Sequence, residues 1–211
     1  MMRNTGITMK QVGWGVIGAG GIADRRSIPG LLRVPEARFL GFTELDGTRA
    51  AQLAIKYPGA RAHTSMQALL EDPAIQAVYI ATPVHEHLAQ LKAAAERGKH
   101  VLVEKPIGLS VAQAEEALAF CDKKGVRLGV GLMMRFGSLH QEMKRLIAAG
   151  RLGDLVAARA QFSCWYPDMA GAWRQDPALS GGGALIDLGI HSADLLEYLS
   201  GLTARSVFAS V

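Results

Sequence analysis

The stretch VGWGVIGAGGIA, Val12 to Ala23, joins a short apolar run to a glycine-rich turn. Its last six residues, Gly18, Ala19, Gly20, Gly21, Ile22 and Ala23, fit the pattern G-x-G-x-x-A, in which a first strand turns sharply into a first helix. Gly18 permits the tight turn, Gly20 lets the backbone approach a pyrophosphate, and the small Ala23 allows the helix to pack close to the strand. Backbone N–H groups at the start of that helix then face the phosphates. Glycines also serve ordinary turns, so the motif gains its meaning from the rest of the chain.

Downstream of the turn, short apolar runs alternate regularly with helical stretches, the signature of βαβ units around a parallel sheet. Strands are expected at VGWGVIG, ARFLGFT, RAHT, AVYIAT, HVLVE and VRLGVG, with helices at LLRV after Ile28, TRAAQLAIKY, SMQALLED, HEHLAQLKAAAERG and SVAQAEEALAFCDKKG. Ser110 is an expected N-cap, and Gly98 and Gly125 are expected helix stops. Residues 1–131 therefore read as a complete doubly wound, Rossmann-type α/β domain that binds NAD(P).

After Arg135 the pattern changes, and residues 132–211 read as the start of a second, α+β domain. A helix from His140 to Ala149 leads to an alternating strand, LVAARAQFS, and then to the irregular stretch CWYPDMAGAWRQDP. The triplet Gly181 to Gly183 opens a long amphipathic helix, ALIDLGIHSADLLEYL, and ARSVFASV reads as a further strand. Two strands and their helices make a thin domain with an open edge, which natural proteins usually cover. The chain is expected to be a fragment.

With 49% hydrophobic and 20% charged residues the sequence has the balance of a globular protein. The formal charge of +4 is scattered, with no run of five basic residues, so nucleic acid is not an expected partner. Residues 1–11 lack the apolar core of a signal peptide, and no apolar run is long enough to span a bilayer. Cys121 and Cys164 form no ligand cluster, so no metal is expected, and buried thiols suit a reducing cytoplasm.

Cofactor choice falls to Glu44 at the end of the second expected strand, where a carboxylate accepts the ribose hydroxyls of NAD and repels a 2′-phosphate. Leu45 comes next, where an NADP enzyme favours arginine. NAD is the expected cofactor, with NADP as the alternative if Arg25 or Arg26 reaches a phosphate. Thr82 and Pro83 end the fourth strand at the expected ligand crevice, with His87 better placed to line it than His85. Glu104, Lys105 and Pro106 end the fifth strand on the same edge, and proline forces the chain to turn there. Lys105 can hydrogen-bond a substrate oxygen and stabilise the alkoxide that forms as hydride leaves; the plainer reading is an exposed lysine paired with Glu104. Asp187 and His191, spaced i, i+4, would share one helix face as an acid/base pair, with Asp194 as a competitor for the imidazole. Trp173 and Arg174 suit a hydroxylated ring, although Trp165, Tyr166 and Trp173 could equally be core.

Taken together, GAGGIA, Ala81-Thr82-Pro83 with His87, Glu104-Lys105-Pro106, Trp173-Arg174, and Gly182-Gly183 with Asp187 and His191 beyond them resemble the glucose-fructose oxidoreductase / inositol dehydrogenase (Gfo/Idh/MocA) family. The resemblance implies a Rossmann domain and, after it, a domain built on a large, mostly antiparallel sheet, most of which this chain lacks. It implies an NAD(P)-dependent dehydrogenase or reductase acting on a CH–OH group of a sugar, inositol or related polyol. Lys105 and His191 would flank the reacting hydroxyl with Asp187 nearby, and Trp173 and Arg174 would help bind the substrate. The whole protein would form a homo-oligomer through the large sheet. Val84 departs from the pattern, since relatives often carry Asn or Thr there. Two other readings stay open: a dinucleotide-binding regulator without chemistry, and a glycosidase that uses NAD transiently.

Overall fold

The structure, a computed structural model, describes residues 11–169 and 171–210. The expectation of a missing leader falls on residues 1–10, outside the described residues, as do Ala170 of the irregular stretch and Val211 of the last expected strand. The chain divides into two compact units at Val130/Gly131.

The first unit is a six-stranded sheet of β1 (Val12–Ile17), β2 (Ala37–Thr43), β3 (Arg61–Ala62), β4 (Ala77–Ile80), β5 (His100–Val103) and β6 (Leu128–Val130). The order is β3-β2-β1-β4-β5-β6 and every pairing is parallel. Reversal of direction at β1/β4 makes that junction the topological switch point, outside whose carboxyl ends such sheets bind ligands. Successive side chains of a strand point to opposite faces, and the two cores obey that rule except at Phe39 and Phe42, three residues apart yet on one face, where the register of β2 on β1 shifts. Val16, Phe39, Phe42 and Tyr79 pack on one face with Ile28, Leu53 and Tyr57. Ile17, Val78, Ile80, Val101 and Val103 pack on the other with Leu69, Leu91, Ala94, Ala117 and Cys121.

The covering helices are α1 (Ile28–Leu31), α2 (Gly47–Lys56), α3 (Met66–Leu70), α4 (Val84–Glu96) and α5 (Val111–Lys124). Their starts are chemically specified. Asp46, Ser65 and Ser110 each accept a hydrogen bond from the backbone N–H three residues on, satisfying a donor the helix leaves without an internal partner. Past the ends of α4 and α5, Gly98 and Gly125 take left-handed backbone. One boundary differs from expectation: the helix placed at LLRV lies earlier, as a π-helical stretch Ala23–Ser27 running into α1. The glycine turn itself nucleates it, and the chain is already turning by Leu32.

The second unit holds α6 (Ser138–Ala148), α7 (Pro177–Ser180) and α8 (Ile190–Ser200), with a 3₁₀ turn at Trp173–Gln175. The strands expected at LVAARAQFS and ARSVFASV are not formed among the described residues. Val156, Val207 and Phe208 are exposed instead. Alternating apolar residues make a strand only where a neighbour supplies the ladder, and these segments have no paired neighbour among the described residues. The long helix expected from Ala184 is broken in kind: Leu185–Gly189 is π-helical, and α8 begins after it.

Candidate functional site

At the carboxyl edge of β1 the backbone N–H groups of Gly18 and Ala19 both donate to the Thr43 carbonyl, at 3.1 and 3.0 Å. Gly18 has φ of 79°, and a Cβ there would stand 2.8 Å from the Thr82 methyl. Only glycine meets both demands without strain. The Gly20 N–H donates to Glu44 Oε2 at 2.8 Å, while the other carboxylate oxygen accepts from the Asp46 N–H at 3.2 Å. A Cβ on Gly20 would lie 2.6 Å from Glu44 Oε2 and 2.7 Å from Arg49 Nη1. Glu44 and the glycine turn, placed together by pattern alone, are in direct contact here. That cradle fits a dinucleotide: a bare backbone at the turn, a carboxylate against it, and a helix start behind it.

Ala19 and Ala23 are buried, Ile22 is half-buried, and Gly21 lies open. Arg25 and Arg26 are exposed on the π-helical stretch after the turn. Asp24 on that stretch accepts from Lys56 Nζ at 2.7 Å and from the Tyr57 hydroxyl at 2.8 Å. Burial works against the Asp24 carboxylate, but these two donors outweigh it and hold its pKa below the ordinary value.

The next edge, after β4, carries Thr82, whose hydroxyl donates to Gln90 Oε1 at 2.7 Å, and Pro83, which caps α4. His87 is not a surface ring lining a crevice. It is 1% exposed, with Nδ1 2.9 Å from the Pro106 carbonyl oxygen and Nε2 2.9 Å from that of Thr82. Burial pushes its pKa down, against the two carbonyls and the Glu104 charge, which push it up. From the first turn of α4 the ring thus bridges the carbonyl that follows β4 and the one that follows Lys105.

Beyond β5, Glu104 continues the ladder through its N–H to the Ile80 carbonyl at 2.9 Å. Its carboxylate accepts a short hydrogen bond from the Tyr79 hydroxyl, which in turn accepts from Ser27 Oγ at 2.9 Å. Burial, with Glu104 next in importance, drives the Tyr79 phenol far above its ordinary value, so it stays a donor. Lys105 is half-buried and joined to Pro106 by a cis peptide.

In the second unit, Arg174 Nε stands 3.7 Å from Asp187 Oδ1, and the guanidinium lies over the Trp173 ring at 4.3 Å. Arg174 and Asp187 line a cavity of about 340 Å³ together with Tyr166, Cys164 and Gly183. Trp173 and His191 do not line it. Asp187 sits on the π-helical turn, an irregularity frequent at functional sites, which runs directly into α8. His191 is buried at the start of α8, its ring 5.9 Å from that of Phe162. Asp194, the expected competitor for it, accepts from Arg135 through Nε at 2.8 and 2.9 Å and through a shorter Nη2 bond.

Residues 12–132 match the profile described as "Oxidoreductase family, NAD-binding Rossmann fold", and residues 140–211 match the GFO/IDH/MocA C-terminal domain. The chain belongs to the Gfo/Idh/MocA family. The cofactor class expected from the glycine turn is that of the family, and the six-stranded parallel sheet is its Rossmann fold. The chain is 33% identical, over 88% of its length, to 1,5-anhydro-D-fructose reductase of Ensifer adhaerens, of which it covers 56%. It is 37% identical, over 84% of its length, to dTDP-3,4-didehydro-2,6-dideoxy-alpha-D-glucose 3-reductase of Streptomyces antibioticus, of which it covers 53%. Among solved structures, GenD2 from gentamicin A biosynthesis in complex with NAD superposes with a TM-score of 0.77 at 26% identity, over 91% of this chain and 54% of that one. The chain thus spans little more than half the length of these relatives.

The contacts that sequence reasoning missed are those of Tyr79, Ser27, Gln90, Asp24 and Arg49. Tyr79 carried a signal: a phenol inside the buried strand AVYI needs a polar partner. The others lie on helix surfaces, where no periodicity marks them.

Proposed function

We propose that the whole protein is an NAD(P)-dependent oxidoreductase that moves a hydride between the nicotinamide and a secondary alcohol or ketone of a sugar, inositol or related polyol. The observation that carries this reading is the cradle of Gly18, Gly20 and Glu44 at the switch point, in a family whose named relatives are reductases of sugar derivatives. Bound NAD supplies the hydride acceptor. Glu44 keeps acceptor capacity beyond its bonds to Gly20 and Asp46, since a carboxylate offers about four lone-pair sites, and it takes the ribose hydroxyls. NAD is therefore favoured over NADP, with Arg25 and Arg26 as phosphate contacts in the contrary case. Thr82, Pro83, His87 and Glu104 shape the edge beside the nicotinamide.

In the substrate step, Lys105 donates from Nζ to the reacting oxygen, and His191 takes the hydroxyl proton onto its imidazole. Asp187 orients that exchange, while Trp173 and Arg174 hold the hydroxylated ring. Reduction runs the same steps backwards. The whole protein completes the second domain with an antiparallel sheet, associates through it as a homo-oligomer, and works in a reducing cytoplasm; Cys121 is the buried free thiol expected, whereas Cys164 is free but exposed.

Fluorescence titration with NADH and NADPH, and then a polyol screen on the whole protein, tests the reading. Lys105→Ala is expected to lower turnover about 100-fold or more with NADH affinity near that of the parent. Unchanged turnover removes Lys105 from its role, and tight NADH binding with no turnover of any polyol replaces the enzyme by a dinucleotide-binding regulator.

A further inference from the structure

The residues immediately before and after Lys105 are each tied to a buried ring. On one side the Tyr79 hydroxyl donates to the Glu104 carboxylate and accepts from Ser27. On the other, His87 reaches the Pro106 carbonyl with one ring nitrogen and the Thr82 carbonyl with the other. Both anchors lead to the dinucleotide cradle: Ser27 ends the π-helical stretch that leaves the glycine turn, and Thr82 is the residue that a Cβ on Gly18 would strike.

A buried phenol and a buried imidazole must find partners, because a polar group taken out of water without a hydrogen bond destabilises the fold. Many partners would meet that need. Here both rings spend their bonds on the two residues that flank one lysine. A lysine carries a flexible four-carbon stem and a point charge, so where its ammonium can stand is limited first by how well its own backbone is fixed. Displacement of a catalytic group by about 1 Å can cost on the order of 100-fold in rate.

We propose that Tyr79 and His87 are positioning residues for Lys105, the first acting through Glu104 and the second through the Pro106 carbonyl, and that together they register the lysine to the cofactor cradle. The proposal rests on the reading that Lys105 meets the substrate oxygen.

Lysine labelled with ¹³C at Cε gives the test, with the Lys105 resonance assigned through Lys105→Arg. In the unsubstituted chain the Lys105 signal should relax as an ordered side chain, unlike exposed lysines such as Lys123 and Lys124. In Tyr79→Phe and in His87→Gln it should relax as a solvated lysine while the thermal melt remains cooperative, and in Tyr79→Phe NADH affinity should stay within about twofold. In the whole protein each variant should lower kcat about 10- to 100-fold, with the KM for the cofactor unchanged in Tyr79→Phe. Unaltered Lys105 relaxation in the folded variants overturns the proposal. So does a mobile Lys105 in the unsubstituted chain, a measurement that needs no variant to fold. Because relaxation is read without turnover, a protein inert toward every polyol but with an ordered Lys105 counts against the oxidoreductase reading and not against the brace.

Discussion

Replacement of Gly20 by alanine tests the cradle with one methyl group. The Gly20 backbone is not in the left-handed region, so alanine brings no conformational strain and its whole effect is contact. The added carbon would stand 2.6 Å from Glu44 Oε2 and 2.7 Å from Arg49 Nη1. Both groups must retreat by roughly half an ångström or more to reach ordinary separations. For the carboxylate, retreat means lengthening the 2.8 Å bond from the Gly20 N–H. A hydrogen bond to a charged group contributes about 1.5–3 kcal/mol, and Glu44 is only partly buried, so water recovers some of it; the expected loss of stability is about 1 kcal/mol. Cofactor affinity should suffer more, because the methyl group fills the approach to the pyrophosphate and displaces the ribose acceptor together. NADH should bind about 10- to 100-fold more weakly, which is about 1.4–2.8 kcal/mol. Gly30→Ala is the control: it lies in α1, a Cβ there meets nothing within 4 Å, and its melting point and NADH titration should match or exceed the parent. A Gly20→Ala chain that binds NADH within about twofold of the parent would refute the cradle as the cofactor site.

Acid stability should track His63 and His87. Burial, aided by Arg61, pushes His63 below its ordinary pKa, and burial does the same to His87. Both groups therefore contribute stability that is present above the unfolded value near 6.5 and lost as pH falls through the folded values, with a slope of up to about 1.4 kcal/mol per pH unit for each. The melting temperature should fall between pH 7.5 and about 5, and His63→Gln should flatten the slope; an equally steep slope in the variant excludes His63 as a source. Arg135→Ala strips the partner from an Asp194 side chain that is 8% exposed. It should destabilise the second unit by about 1–3 kcal/mol, seen as faster amide exchange in α6 and α8, and adding Asp194→Asn should restore part of the loss. Equal exchange in parent and variant would show that the pair holds nothing.

The parallel sheet was legible because its strands are buried on both faces and read as nearly continuous apolar runs, AVYI and HVLV among them, with helix starts written at Asp46, Ser65 and Ser110. The second unit was less so. LVAARAQFS alternates as a strand should, yet a strand is a property of two segments, and periodicity in one cannot report whether the other is there. The i, i+4 spacing of Asp187 and His191 was readable, but not that Leu185–Gly189 winds as a π-turn before α8 begins. His87 shows where pattern reading fails at the site itself. Its sequence position after Thr82-Pro83 puts it at the start of α4, but one of the carbonyls its ring reaches, that of Pro106, lies in another βα unit, and side chains that act on backbone carbonyls leave no mark in the sequence of either segment. Gly18, Gly20 and Glu44 are legible because a tight turn, a close approach and a facing carboxylate each demand one residue type; Tyr79 and His87, bonded to the residues on either side of Lys105, are drawn from ordinary core positions and become visible only when their bonds are traced.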